Sequence, residues 1–338
     1  MNVGIITFHS ANNYGAVLQC YALSSVLKEL GHEIALIDLP LHEKPVGVRP
    51  WLRTKIRSKA FSSFRSDYLP VVTAPLYIKD AYIFGSDQIW NLQITKNNYN
   101  LFFGSWVNSG IAKISYAASF GLSTWNYPEH TNSISKELRS FSAIGVREAS
   151  AVGICSTEFK VDSVKVLDPT LLLENYENVF EKRKHTKSLA CYIFAKNEEK
   201  INHIKAIGGK YNLKPILLND FRLRRGVKSV PFPSISTWLS YLDSSQLILT
   251  DSFHCMVFAI IFKKNFIAIP AIPERAGRML SLLKDLGLES RFFHDIADVQ
   301  SSNIISDDIN YSDVDEKLSS LRERSLAFLK CSLDAVKC

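Results

Sequence analysis

Val3-Gly4-Ile5-Ile6-Thr7-Phe8 opens the series that decides the fold: next come a polar loop over residues 9–14, the apolar residues Val17, Leu18, Tyr21, Ala22, Val26 and Leu30, then Gly31 and a second apolar run over 33–39. A short continuous apolar run suits a strand buried on both faces. The residues from Val17 to Leu30 recur at helical spacing, and Gly31 stands where a left-handed residue ends a helix. Strand, loop, helix and strand in this order form the opening unit of a doubly wound sheet.

The alternation continues down the chain. Strands are expected at 81–84, 113–118, 143–146 and 164–167, and Asp168-Pro169 reads as a turn and hinge. The pattern then restarts, with strands at 189–194, 214–218, 246–249 and 266–269. Helices are expected near 198–211, 236–242, 253–262 and 275–286, and a last amphipathic one near 314–329. This is an α/β chain of two Rossmann-like domains facing across a cleft, 1–168 and 169–310, with a closing helix in 311–338 that returns to the first domain. Ligands gather at strand C-termini, where loops and helix N-termini converge.

Composition narrows the class. Hydrophobic residues make up 46% of 338 and charged residues 22%, which is ordinary for a globular chain. The longest apolar stretch, 255–269, is cut by Lys263-Lys264-Asn265 and falls short of the roughly 20 residues a membrane span needs. The N-terminus lacks the pattern of a signal peptide, so a cytoplasmic protein is expected. Six cysteines show no C-x-x-C spacing and read as reduced residues, mostly in the core. The net charge of +7 favours anionic partners. Part of it lies in residues 48–65, where Arg49, Arg53, Lys55, Arg57, Lys59 and Arg65 alternate with Trp51, Leu52, Ile56, Phe61 and Phe64. That segment reads either as a surface helix resting on the inner face of a membrane or as a solvated basic face on its own domain.

Four constellations carry chemistry. Thr250-Asp251-Ser252 offers three N-cap residues before the apolar helix that holds His254 in its first turn. The N–H groups there welcome an anion, and an imidazole beside it suits acid–base work; a histidine completing the cap is the plain alternative. Asn12-Asn13-Tyr14-Gly15, in the first loop, is not a dinucleotide fingerprint but offers amides for hydroxyls, or a simple turn. Gly85-Ser86-Asp87-Gln88-Ile89-Trp90-Asn91, directly after a strand, combines polar forks with a ring for a sugar face, or a capped helix start with a packed Trp. Arg147 and Arg278 follow strands and suit phosphate or carboxylate, or surface ion pairs.

Taken together, these segments resemble one family. Asn13-Tyr14-Gly15-Ala16-x-Leu18-Gln19, Gly85-Ser86-Asp87-Gln88-x-Trp90-Asn91, the run Ser-Tyr-Ala-Ala-Ser-Phe-Gly from Ser115 to Gly121, Val146-Arg147-Glu148, Leu-Asp-Pro-Thr-Leu-Leu-Leu from Leu167 to Leu173, and Asp251-Ser252-Phe253-His254 stand in the order found in the polysaccharide pyruvyl transferases. The resemblance implies a fold similar to GT-B glycosyltransferases, phosphoenolpyruvate as donor, and a ketal-linked pyruvate on a saccharide. It implies His254 as the catalytic residue, with Arg147, Ser252, Phe253, His254 and Arg278 around the donor. Asn12, Asn13, Tyr14, Asp87 and Gln88 are the candidates for the acceptor. No metal or cofactor is called for, and no nucleic acid; the acceptor is a sugar of a surface-polysaccharide precursor, lipid-linked or not.

Three positions depart from the family's pattern. Many members read Arg-Leu-His where this chain has Ser252-Phe253-His254, members of the Ser-Phe-His type usually continue with glycine where Cys255 stands, and Ala16 replaces an acidic residue. Two other readings stay open: a glycosyltransferase of the same architecture using a nucleotide-sugar, and a non-catalytic binding protein for an anionic partner.

Overall fold

The computed structural model describes residues 1–39, 48–72, 80–272 and 276–337, without the side chains of 48–56, 71–72 and 337. The chain divides into two units: unit 1 is Met1–Val46, Phe64–Leu173 and Leu318–Cys338, and unit 2 is Gly47–Ser63 and Glu174–Lys317. The division thus falls five residues beyond the Asp168 turn.

The opening segment folds as its pattern dictates. β1 (Asn2–Ile6) leads through a loop to α1 (Tyr14–Glu29) and β2 (Glu33–Ile37). Asn13 caps α1, its side-chain oxygen accepting from Gly15 and Ala16 N–H. At the other end His32 N–H reaches Leu27 C=O and Gly31 N–H reaches Lys28 C=O, with Gly31 at φ +83°. This is the paired C-terminal motif that only a residue tolerant of left-handed backbone completes cheaply. Next come α2 (Val48–Tyr68) and β3 (Val71–Val72), then β4 (Ala81–Phe84), α3 (Leu92–Thr95), α4 (Tyr99–Phe102), β5 (Ala112–Ala118), α5 (Thr131–Leu138), β6 (Ala143–Val146), α6 (Ala149–Ile154) and β7 (Val164–Lys165).

The sheet of unit 1 runs β3-β2-β1-β4-β5-β6-β7, with every neighbouring pair parallel. An aromatic core packs on it: Trp90 stacks on Phe103 at 5.4 Å and meets Phe120 at 5.2 Å. Each such ring fully removed from water contributes about 1.5–3 kcal/mol. The C-terminal part of α2 packs through Phe64 and Tyr68 against Tyr21 of α1. This end of the basic stretch is therefore a packed element, whereas the side chains of Arg49, Trp51, Leu52, Arg53, Lys55 and Ile56 lie outside the described residues.

Unit 2 holds β8 (Thr186–Tyr192), α7 (Glu198–Lys210), β9 (Lys214–Leu218), β10 (Lys228–Val230), α8 (Ile235–Ser244), β11 (Ser245–Thr250), α9 (Phe253–Ile261), β12 (Asn265–Ala268), α10 (Gly277–Leu286) and α11 (Ile296–Ser301). Its sheet, β10-β9-β8-β11-β12, is also wholly parallel. The last helix, α12 (Tyr311–Lys337), is longer than its apolar pattern suggested. From Leu318 on it groups with unit 1: Ser325 Oγ accepts from Leu167 N–H, and Arg322 Nε donates to Leu171 C=O. No helix among the described residues is long and apolar enough to cross a membrane.

Both sheets reverse their order beside the first strand of the unit, between β1 and β4 and between β8 and β11. At such a reversal the loops leave in opposite directions and open a crevice at the strand C-termini. The loops at these two points are 7–13 with 85–91, and 193–197 with 251–252, so topology delivers the sequence motifs to the two reversal points.

Candidate functional site

In unit 1 the crevice between β1 and β4 opens into a pocket of ≈ 560 Å³, lined among others by Phe8, Asn13, Asp87, Gln88, Lys96 and Asn97. Amides, a carboxylate and one ammonium around an apolar floor suit a polyhydroxylated ligand. Asp87 takes φ +81°, a left-handed conformation that costs a non-glycine residue stability and clusters at functional turns. It is over-determined from three sides. Its C=O accepts from Ser119 N–H at 3.0 Å, its Oδ1 accepts from Gln88 N–H at 2.8 Å, and Arg147 Nη2 lies 3.8 Å from Oδ1.

Arg147 lies beneath this turn with its side chain 2% exposed. Its Nη1 donates to Asp168 Oδ2 at 2.9 Å, and Glu148 stands 3.7 Å from its Nε. Asp168, read from sequence as a hinge, is a hub: it also accepts from Ser86 Oγ at 2.8 Å and from Thr170 N–H and Oγ1. Burial alone would lower the guanidinium's pKa, but Asp168, Asp87 and Glu148 together carry it above its ordinary value. A cation held by three carboxylates reads as the part that fixes the Asp87 turn.

The other acceptor candidates divide. Asn12 Oδ1 accepts from Arg65 Nη2 at 2.5 Å, so an arginine counted from sequence only as part of a basic stretch sits on the first loop. Asn13 joins the pocket but uses its oxygen as the cap of α1. Tyr14 is buried and does not line the pocket with Asn13. Trp90 is fully buried, its Nε1 donating to Phe102 C=O at 3.0 Å, so the reading of this ring as a sugar platform is corrected: it is core. His9 also escaped the sequence reading. Its Nε2 lies 3.3 Å from Asp38 Oδ1 and its Nδ1 3.3 Å from Thr7 C=O, and burial lowers its pKa against the pull of Asp38.

Gln88 depends on a glycine. Gly121 has φ +68°, and a Cβ there would collide with Gln88 Oε1 and lie 2.7 Å from Asn91 Nδ2, the pair that hydrogen-bonds at 2.9 Å. Gly121→Ala is expected to cost about 1–3 kcal/mol through left-handed strain and to displace Gln88. A lowered melting temperature checks this; unchanged melting would contradict it.

In unit 2 the crevice beside β11 is built differently. Ser252 is the N-cap of α9, accepting from Cys255 N–H at 3.4 Å. Asp251 is spent elsewhere: its carboxylate accepts from Phe194 N–H at 2.8 Å and Ala195 N–H at 3.1 Å, latching the loop after β8. Burial pushes its carboxyl above the usual range despite these donors. His254 is buried in the first turn of α9, its ring 5.2 Å from Phe253. Arg278, in the first turn of α10, lies 5.9 Å over the Phe253 ring, a cation–π distance. The sequence-picked residues Ser252, Phe253, His254 and Arg278 therefore converge at one helix N-terminus, which favours an anion. Lys196, unnoticed in the sequence, donates to Asn219 C=O at 3.0 Å, and Asp251 acts on its charge. Cys255 next to His254 is no nucleophile, its thiol pushed up to about 12 by burial. Among the described residues no three His, Cys, Asp or Glu side chains gather as a metal site.

The whole architecture has solved counterparts. UGT89C1 of Arabidopsis thaliana, complexed with UDP, is 13% identical over 100% of this chain and 99% of that one, with a TM-score of 0.52. The UDP-GlcNAc 2-epimerase of Neisseria meningitidis gives 12%, 96%, 94% and 0.50. The spinosyn forosaminyltransferase SpnP gives the same four values. Identities this low show the fold alone: two Rossmann-like units of the GT-B kind. No curated protein matches the sequence. One family does, and it matches residues 13–271, the span that holds the six motifs from Asn13 to His254: this chain belongs to the polysaccharide pyruvyl transferase family.

Proposed function

We propose that the protein moves pyruvate from phosphoenolpyruvate onto a saccharide of a surface-polysaccharide precursor, forming a ketal and releasing phosphate. The observation that carries this reading is the N-terminus of α9, where His254 is buried in the first turn behind the Ser252 cap and the Arg278 guanidinium lies over the adjoining Phe253 ring. Phosphoenolpyruvate brings a phosphate and a carboxylate, and helix N–H groups with a forked cation answer both. A proton delivered to its methylene carbon leaves the adjoining carbon oxocarbenium-like, open to a saccharide hydroxyl. Phosphate then departs and a second hydroxyl closes the ketal. One hydroxyl proton ends in the new methyl group and the other on phosphate, so the sum is phosphoenolpyruvate plus diol giving ketal plus phosphate. His254 moves a proton or meets the departing phosphate. Asn12, Asn13, Asp87 and Gln88 hold the acceptor, and Arg147 keeps Asp87 in place. The scheme needs no metal or cofactor.

Ligand-induced stabilisation tests the donor. Phosphoenolpyruvate at about 100 times its Kd should add about 2.7 kcal/mol to stability and raise the melting temperature accordingly. Stabilisation by a uridine or guanosine diphosphate sugar, with none by phosphoenolpyruvate, would replace this reading with nucleotide-sugar transfer.

A further inference from the structure

The C-terminal edge of the unit 2 sheet carries a second feature that pyruvyl transfer leaves unused. Residues 219–228 join β9 to β10 in a tight turn, where Arg224 and Val227 form an antiparallel bridge and Gly226 takes φ +79°. At its tip Leu223 is 100% exposed and Phe221 48%. Phe221 packs edge-on against Phe232 at 4.1 Å, which fixes it at the surface. Phe194, on the neighbouring loop after β8, is 47% exposed. The Lys196–Asn219 hydrogen bond ties the two loops together. Folding thus leaves three large apolar side chains in water on adjoining loops.

The same segment holds four cations, Arg222, Arg224, Arg225 and Lys228, and one carboxylate, Asp220. Arg224 is used locally, 3.1 Å from Asp220 and 2.7 Å from Glu198. Arg222 is exposed and 3.7 Å from the exposed Glu198, Arg225 is exposed, and Lys228, also exposed, is used locally with its Nζ 5.2 Å over the Tyr241 ring. Single exposed apolar residues need no explanation. An apolar tip ringed by cations is different: apolar groups enter the headgroup boundary while guanidinium and ammonium groups meet anionic headgroups. A nucleic acid would ask for rings free to stack; here Phe221 is held edge-on against Phe232, and the most exposed apolar group at the tip is a leucine, which has no ring.

We propose that the 219–228 loop docks the protein on an anionic membrane surface. Leu223 and Phe221 enter the headgroup boundary, and Arg222 and Arg225 lie against lipid phosphates. The helix N-terminus bearing His254 lies at this same edge of the sheet, so docking would bring it to the bilayer. The loop shares no residue with the basic stretch 48–65, and the inference does not depend on which donor the enzyme uses.

Co-sedimentation of the full chain with vesicles tests it, using phosphatidylcholine alone against equal parts of phosphatidylcholine and phosphatidylglycerol. Binding is expected only to the mixed vesicles and should weaken with salt. Arg222→Glu with Arg225→Glu should lower partitioning by about tenfold or more, since each cation near such a surface contributes about fivefold. Leu223→Ser, which cannot disturb the core, should lower it by about threefold to tenfold. Melting and turnover on a soluble saccharide should stay unchanged in both variants. Equal binding to the two vesicle types, or binding unmoved by either variant, would overturn the proposal. So would tighter binding to an oligonucleotide than to mixed vesicles, or a Leu223→Ser effect on soluble turnover alone.

Discussion

His254→Ala lowers kcat for pyruvyl transfer by about 10²–10⁴-fold, the range a positioned acid–base group contributes. The expectation rests on placement. His254 is buried in the first turn of a nine-residue helix, its ring beside Phe253, over which the Arg278 guanidinium lies. Alanine is the best helix former, so α9 should persist and the circular dichroism spectrum with it. The cap at Ser252 is untouched, so the helix N-terminus still offers its N–H groups to the donor. The loss should therefore appear mainly in kcat, with a small change in the Kd of phosphoenolpyruvate. His254→Gln, which keeps a hydrogen-bonding group but cannot carry a proton at neutral pH, should be as poor as alanine. Near-normal turnover in either variant would remove His254 from the chemistry without touching the family assignment.

Arg147→Ala costs about 3–5 kcal/mol of stability, because removing one partner of a buried pair leaves the other's charge unpaired. Asp168 is fully buried, and its Oδ2 faces Arg147 Nη1 at 2.9 Å. The substitution also withdraws the cation from Asp87 and Glu148. The cost should appear as a lower urea midpoint. The Asp87 turn, held at φ +81°, then loses one of its three restraints, so the saccharide KM should rise in whatever fraction stays folded. Arg147→Lys restores charge without the planar fork and should recover only part of the midpoint. The family resemblance implied Arg147 as a donor contact. An unchanged midpoint with a raised KM for phosphoenolpyruvate alone would favour that role over the positioning role.

Much of this was legible because it is local. The opening strand, Gly31 and the helical spacing of Val17 to Leu30 specify their own unit, and the strands at 81–84, 143–146 and 214–218 stand where the apolar runs placed them. Two of the edge strands, Val71–Val72 and Lys228–Val230, are too short to show a period and escaped notice. At the site, a cap followed by histidine is a local signal, so Ser252, Phe253 and His254 could be read directly. Arg278 could be placed only by its position after a strand.

The partners of Arg147 could not be read in the same way. Asp168 looked like a turn because its partners Arg147 and Ser86, 21 and 82 positions away, leave no local trace. The same holds for Arg65 on Asn12, 53 residues apart, and for Asp251 on Phe194, 57 apart. Trp90 misled for the opposite reason. A tryptophan after polar residues at a strand end looks the same whether it stacks on sugar or on Phe103, and only the folded core decides.

The most direct test of the central claim follows both products in one reaction. Wild-type protein and His254→Ala are each given phosphoenolpyruvate and a candidate saccharide, and released phosphate is counted against the saccharide's mass gain. The account predicts one phosphate for each saccharide heavier by pyruvic acid less water, with both products lost together in His254→Ala. A saccharide that gains a sugar unit from a nucleotide-sugar, with no phosphate released from phosphoenolpyruvate, would contradict it.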